Sequence, residues 1–375
     1  MSVELKNVTK KFGDVVAVKD LDLKISSHDF TTLLGPSGCG KSTTLRMIAG
    51  LEEPTEGEIW INGECVYSKE KNIYFSAKKR KLGMVFQSYA LWPHLTVLEN
   101  ISFGLEINKK ENIKEKVEKV TKVLKINDLL NRYPNELSGG QQQRVAIARV
   151  LVMDYDLLLL DEPLSNLDAK LRMDMRAELK RIHQELDLTI VYVTHDQLEA
   201  LTMSTNIAVL DEGLLQDYGP PIEVYNSPSN IFTANFMGNP PINFIEDCII
   251  DTIIDNKAII KGEGIEVSVS LDKFNSNKLE EHYNNKDKII MGIRPEDINL
   301  NTRTDEEHEI GEGEIYSVLP AGSEWYYKIK ATKLDLTVTE YTDKRLNKGE
   351  KVSINVNENK IKLFDNNKSS LENKS

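Results

Sequence analysis

The stretch Gly35-Pro36-Ser37-Gly38-Cys39-Gly40-Lys41-Ser42-Thr43 places glycines, a lysine and a hydroxyl at the spacing G-x-x-x-x-G-K-[ST], the pattern of a phosphate-cradling loop. Backbone N–H groups of such a turn wrap phosphate oxygens, and the helix that follows aims its positive end at them. Lys41 then reaches the β- and γ-phosphates and the Ser42 hydroxyl sits on Mg²⁺. Cys39 occupies a variable position of the loop and reads as a small residue that fits, not as a redox switch. Leu157 to Leu160 runs into Asp161-Glu162, and adjacent acids at the tip of a buried strand need a cation or a hydrogen-bond partner. Asp161 suits Mg²⁺ held through water, and Glu162 suits polarisation of an attacking water. Gln87 ends another strand-like run, where its side-chain oxygen could carry metal or attacking water; a plain strand-end polar residue is the other reading. His195, alone among the six histidines, also stands at a strand tip.

These residues require a scaffold. Phe30 to Leu34 reads as a strand entering the loop and Thr44 to Ala49 as a helix leaving it, the context the motif demands. The apolar run Leu157 to Leu160 fits a central parallel strand covered on both faces. Leu82 to Phe86, Thr189 to Thr194 and Asn206 to Leu210 read as further strands. Upstream, Leu21, Leu23 and Ile25 alternate with Asp22 and Lys24, a half-buried strand. Glu58 to Ile61 ends at Asn62-Gly63, a hairpin signal, and the lysine-rich stretch 68–81 reads as a surface loop. From Thr96 to Met153 the pattern is helical, with one apolar face formed by Ile113, Val117, Val120 and Leu124.

Leu137-Ser138-Gly139-Gly140-Gln141 opens a helix in which Ser138 is the N-cap and two glycines leave N–H groups exposed, a second anion site. One nucleotide needs only one such helix start, so the second would serve a nucleotide held by another copy. Ser165-Asn166-Leu167-Asp168 caps a helix whose stripe Leu171, Met175, Leu179, Ile182 and Leu186 is core. Phe12, beside Gly13, is either core or a base-stacking aromatic.

Length and composition set the bounds. A chain of 375 residues points to two domains, and 40% hydrophobic with 28% charged residues is a globular composition. A net charge of −12 argues against sequence-independent nucleic-acid binding, so no nucleic-acid partner is expected. Three cysteines without a CxxC pair suggest neither a disulfide framework nor a zinc site, and a reducing compartment is expected. No signal pattern opens the chain, and no run approaches the ~18 apolar residues of a membrane span. Around 225–243 the chain turns rich in Pro, Asn and Gly, a boundary. Beyond it lie short strand-like runs: 249–254, 258–261, 265–269, 289–293, 314–318, 325–329, 334–338 and 352–356, which together suggest a small β-barrel. The polar tail after Asp365 reads as disordered.

In this order the motifs resemble the ATP-binding subunits of ABC transporters across residues 1–235. Phe12 matches the adenine-stacking aromatic, Gly35 to Thr43 the Walker A loop, Gln87 the Q-loop, and Leu137 to Gln141 the signature sequence. Leu158 to Glu162 matches Walker B, Ser165 to Asp168 the D-loop, and His195 the switch histidine. The resemblance implies an α/β P-loop, RecA-like core with an antiparallel β subdomain and a helical subdomain at about 88–155. It implies ATP and Mg²⁺ as cofactors, with Ser42, Gln87 and Asp161 at the metal, Glu162 as general base, and Lys41 and His195 on the phosphates. It further implies a head-to-tail pair of copies, or a pair with a paralogue, each ATP lying between one Walker A loop and the other copy's Ser138-Gly139-Gly140. The partners implied are permease subunits that dock near Gln87 to His94 at the cytoplasmic face of the membrane, and indirectly an extracytoplasmic solute-binding protein. Simple core packing is the alternative for the 88–94 aromatics.

Tyr225 to Phe232, 236–244 and Gly292-Ile293-Arg294-Pro295-Glu296-Asp297 resemble the maltose-type, carbohydrate-importing members. These carry an all-β, oligonucleotide/oligosaccharide-binding-like domain, here expected at 236–365, with 366–375 as the disordered tail. Arg294 to Asp297 reads as a regulatory contact or a rigid corner, the latter preferred. The function implied is ATP hydrolysis that powers import of sugars or glycerol phosphate; iron, polyamine and phosphonate importers share this layout, and a non-transport ABC ATPase is the remaining alternative.

Overall fold

The structure, a computed structural model, describes residues 1–262, 264–301, 309–331, 333–341 and 345–373. It separates into two compact units, Met1–Pro221 and Ile222–Ser375, so that 222–235 groups with the C-terminal unit and not with the preceding one as expected.

The first unit is built on a six-stranded sheet in the order Leu214–Gly219, Asn206–Asp211, Phe30–Leu34, Thr189–Thr194, Leu157–Asp161, Gly83–Val85. All neighbours are parallel except the hairpin between Asn206–Asp211 and Leu214–Gly219. Every residue of Leu157–Asp161 is buried, because successive side chains leave on opposite faces and both faces are covered. Leu158 and Leu160 join a core with the helices Val97–Ile107, Gly139–Leu151 and Ala169–Leu186. Leu157 and Leu159 join a second core with the helix Lys41–Ala49 and an antiparallel sheet.

That antiparallel sheet runs Val15–Ile25, Val3–Phe12, Glu56–Ile61, Glu64–Ser68, Ile73–Tyr74. Leu21, Leu23 and Ile25 are buried while Asp22 and Lys24 are exposed, as their alternation requires. Asn62 (φ 51°) and Gly63 (φ 78°) are both left-handed, the geometry of the two-residue hairpin turn.

The stretch 68–81 is more than a surface loop. Ile73–Tyr74 pairs with Tyr67 and Ser68, and Ala77–Arg80 forms a helical turn. Arg80 is buried, and its Nη1 donates to the Met47 and Ile48 carbonyls at 2.6 and 2.8 Å while Nε donates to Phe75 O at 3.0 Å. A cation thus caps the carboxyl end of Lys41–Ala49, where the helix dipole favours it. Burial pushes the guanidinium down to about 10.

The second unit carries two five-stranded antiparallel sheets. Each strand-like run seen in the sequence lies within one of their strands, and residues of both sheets share one core. The all-β expectation for this part therefore takes the form of two sheets around a common interior. A helix at Ser276–Asn285 had no counterpart in the reading of the sequence. Arg294 is a corner residue: it is buried, its guanidinium lies 3.6 Å from the Tyr225 ring, and it donates to the Tyr225 and Met237 carbonyls.

The tail, expected to be disordered, is held through residue 373, and residues 374–375 lie outside the described residues. Leu371 is fully buried, Ser370 N–H donates to Ser229 O at 2.9 Å, and Glu372 pairs with Lys273 at 2.6 Å. One buried apolar side chain, backbone hydrogen bonds and an ion pair together anchor it.

Candidate active site

Parallel register brings the motif residues to one edge. Leu34 pairs with Thr194 and Asp161 with Val193, so the phosphate loop, Asp161-Glu162 and His195 all leave the sheet at neighbouring carboxyl ends. Val85 pairs with Leu160, which places Gln87 on the same edge. Ligands of open α/β sheets bind there.

Two clusters form. In the first, the Ser42 hydroxyl donates to Asp161 Oδ1 at 2.7 Å, and Arg46 Nη2 stands 3.9 Å from Asp161 Oδ2. Lys41 is buried, its ammonium donating to the Gly35 and Pro36 carbonyls at 2.8 and 2.7 Å, which pre-positions the charge inside the loop. Cys39 Sγ is 3.7 Å from the same nitrogen, and burial pushes its thiol up in spite of the lysine. Gly40 has φ 101°, and a Cβ there would stand 2.4 Å from the Ala17 carbonyl oxygen, so the loop closes only around glycine.

In the second cluster, Gln87 Nε2 donates to Glu162 Oε2 at 3.2 Å, and His195 Nδ1 lies 3.5 Å from Glu162 Oε1. Glu162 itself has φ 45°, a conformation that costs an L-residue about 1–2 kcal/mol; its N–H is held by the Val193 carbonyl at 3.0 Å. Two residues the sequence reading gave no separate part support Gln87: Ser165 Oγ accepts from its amide at 3.4 Å, and Asn166 Nδ2 donates to its carbonyl at 3.1 Å. Both follow Glu162 in the capping run, and that proximity was the available signal.

The Ser42–Asp161 pair offers hard oxygen ligands, and among the described residues no group of three or more His, Cys, Asp or Glu gathers to form a closed metal cage. That donor set fits Mg²⁺, which keeps waters and phosphate oxygens in its shell.

Other predicted residues stand apart. The side chains of Ser138 and Gln141 each accept from the other's backbone N–H at their own helix start, and Gly140 is buried, a Cβ there meeting Leu171 side-chain carbons at 2.8 Å. Phe12 is 48% exposed, with Lys10 Nζ 4.7 Å from its ring, so it is not a core residue. The segment after Gln87 is less open than an exposed aromatic loop. Tyr89 is buried, and Trp92 is half-buried against Phe103. Arg149, which the sequence did not single out, donates to the Tyr89 and Ala90 carbonyls at 2.9 and 2.6 Å and lies over Trp92. It holds Tyr89 and Ala90 in the left-handed region, φ 60° and 48°.

A family model described as ABC transporter matches residues 18–165. The chain is also 42% identical over 369 residues to the trehalose/maltose import ATP-binding protein of Thermococcus litoralis, with 97% of each chain covered. The chain belongs to the ABC transporter family, as an ATP-binding subunit. Another relative of this ABC subunit is the xylose/arabinose import ATP-binding protein XacJ of Haloferax volcanii, 47% identical over 301 residues, covering 80% of this chain and 74% of that one. Among solved structures, a dimeric ATP-binding cassette in a post-hydrolysis state with ADP and Pi matches at TM-score 0.51 and 36% identity, covering 58% of this chain and 98% of that one. Among the described residues of the ABC subunit, no helix is long and apolar enough to cross a membrane.

Proposed function

We propose that this chain is the ATP-hydrolysing subunit of a sugar importer, acting as a pair of copies whose closure on ATP and reopening after hydrolysis drive the permease. The observation that carries the reading is the convergence of Ser42–Asp161 and Gln87–Glu162–His195 on one sheet edge, in a chain so similar over its length to sugar-import ATP-binding proteins. In this reading Lys41 turns from the loop carbonyls to the β- and γ-phosphates. The loop N–H groups hold the phosphates, and Phe12 stacks on the base from the exposed end of its strand. Ser42, Asp161 and Gln87 hold Mg²⁺, which when bound neutralises phosphate charge. Glu162 takes the proton of the attacking water, and His195, on the other side of that carboxylate, meets the γ-phosphate. Phosphoryl transfer is mainly positioning and charge neutralisation, which this arrangement supplies once Ser138, Gly139 and Gly140 of a second copy cover the nucleotide.

The partners on this reading are a second copy, permease subunits at the Gln87–His94 segment on the cytoplasmic face of the membrane, and a solute-binding protein beyond it. Arg149 locks that segment, which suits it to receive a force.

The test is uptake in cells lacking the gene, complemented with wild type or Glu162→Gln. Sugar uptake restored by wild type alone is expected, with purified Glu162→Gln binding ATP while turnover falls by about 10²–10⁴-fold. Selective loss of iron or polyamine uptake would overturn the cargo, and wild-type turnover by Glu162→Gln would overturn its role as base.

A further inference from the structure

A buried polar cluster behind the His195 turn has no part in the roles above. Glu199, on the helix Gln197–Met203, is only 3% exposed. Its Oε2 accepts the hydroxyls of Tyr192 and Thr194, each at 2.7 Å. Thr194 directly precedes His195, and its Oγ1 accepts the N–H of Asp196, directly after His195, at 3.0 Å. Asp196 in turn caps the helix, accepting the N–H groups of Leu198 and Glu199 at 2.8 and 3.2 Å. Both neighbours of His195 are therefore tied to this cluster.

Arg172 reaches the cluster from the other side. Its Nε lies 3.9 Å from Glu199 Oε1, and its Nη1 lies 3.5 Å from Asp196 Oδ2. Nη2 of the same guanidinium donates to the Leu167 carbonyl at 3.1 Å, inside the 165–168 turn that also steadies Gln87. The buried Arg172 Nε has no hydrogen-bond partner, and Glu199 Oε1 is the anion it faces. Burial pushes the Glu199 carboxyl up, opposed by the two hydroxyls and by Arg172.

Stability alone gives a poor account of this pair. A neutral acceptor would satisfy both hydroxyls, whereas a buried carboxylate facing a half-buried guanidinium at 3.9 Å gains little attraction for its desolvation. What the guanidinium adds is a bridge between two loops, bonded to the Leu167 carbonyl and Asp196 and held by the charge of Glu199 3.9 Å away. We propose that Arg172 and Glu199 are positioning residues, a latch that fixes the His195 turn against the 165–168 turn so that both sides of the reaction centre move together. This rests on the proposed roles of His195 and Glu162.

The test is a double-mutant cycle on the full-length chain, with kcat and KM for ATP measured beside thermal melting. Glu199→Gln keeps an acceptor for the hydroxyls and turns an N–H₂ toward the guanidinium; Arg172→Gln removes the cation. Each is expected to lower kcat roughly ten- to a hundredfold through misplacement of the reacting groups, with KM for ATP held. The double variant should fall no further than the worse single one, because coupled residues are non-additive. Wild-type kcat in both singles, or losses that add and merely track the melting temperature, would overturn the latch. Should Glu199→Gln fail to fold, Arg172→Lys at its half-buried site decides: it keeps the charge but not the fork, and a wild-type kcat there overturns the proposal. Glu162→Gln serves as the control. If it turns over ATP like wild type, the active-site reading itself fails; if it is dead while both latch variants are normal, only the latch fails.

Discussion

The chain opens two helices with glycine and finishes them in opposite ways. Before Lys41–Ala49 stands Gly40, at φ 101° and with no side-chain cap hydrogen bond. Before Gly139–Leu151 stands Ser138, whose Oγ accepts from the Gln141 N–H at 3.4 Å while Gln141 Oε1 accepts from the Ser138 N–H at 3.0 Å. Helix starts leave N–H groups that need partners. The first start supplies none from its own side chains, which leaves its N–H groups open to an anion. The second closes on itself as a capping box and packs Gly140 beneath Leu171, so whatever it shows a nucleotide is already in place. One start is left open; the other is closed in advance.

The sharpest way to break that contrast is Gly40→Ala. The added Cβ would stand 2.4 Å from a backbone carbonyl and fix a left-handed residue, for a cost of about 1–3 kcal/mol in the free protein. The larger loss should be the ligand effect. Wild type gains about 2.7 kcal/mol from ATP at a hundredfold excess over Kd, and the variant should show no ATP-dependent rise in melting temperature. A rise of wild-type size would mean that the first start is not completed by phosphate.

A smaller effect tests the other end of the same helix. In Arg80→Met the carbonyls of Met47, Ile48 and Phe75 lose their buried donor, and melting should report a loss of about 1–3 kcal/mol. ATP affinity should move little, since the cation sits at the carboxyl end, away from the phosphates. An unchanged melting temperature would show that water caps this end as well as arginine does.

Arg80 also marks where the sequence stops being legible. The loop and strand-tip motifs, the Leu157–Asp161 strand and the Asn62-Gly63 turn could be read because each rests on local spacing or a local backbone demand. The register that brings Ser42 to Asp161 follows once the strands are parallel. Arg80 sits in a lysine-rich run with no periodicity, and the two carbonyls its Nη1 caps lie more than 30 positions away. Arg149 looks like any basic residue in a last helical turn, yet it sets the conformation of Tyr89 and Ala90. The tail misled for a similar reason: its composition is polar, and the burial of Leu371 depends on a cavity that other strands create. Residues that act through distant carbonyls leave no trace in spacing.

The smallest expected effect bears on the second helix start. Ser138→Ala removes a cap whose bond to Gln141 is long at 3.4 Å and exposed, and such losses run to about 1 kcal/mol. The helix has other support, with Val145, Ala146, Ile147 and Ala148 fully buried behind it, so the melting temperature should barely fall. ATP binding to a single copy should be untouched, because the recorded side-chain partners of Ser138 lie in its own helix start. If the second start faces the nucleotide of a partner copy, turnover should fall well beyond that stability loss and should depend on which copy carries the change. Mixing Ser138→Ala with Glu162→Gln separates the cases: if Ser138 serves the partner's nucleotide, a pair with both changes on one copy has two singly damaged sites and a pair with one change on each copy keeps one intact site, whereas if Ser138 serves its own copy the two outcomes are exchanged. Turnover that follows the melting temperature in every mixture would reduce the second start to a well-capped helix, and the contrast between the two would be one of folding alone.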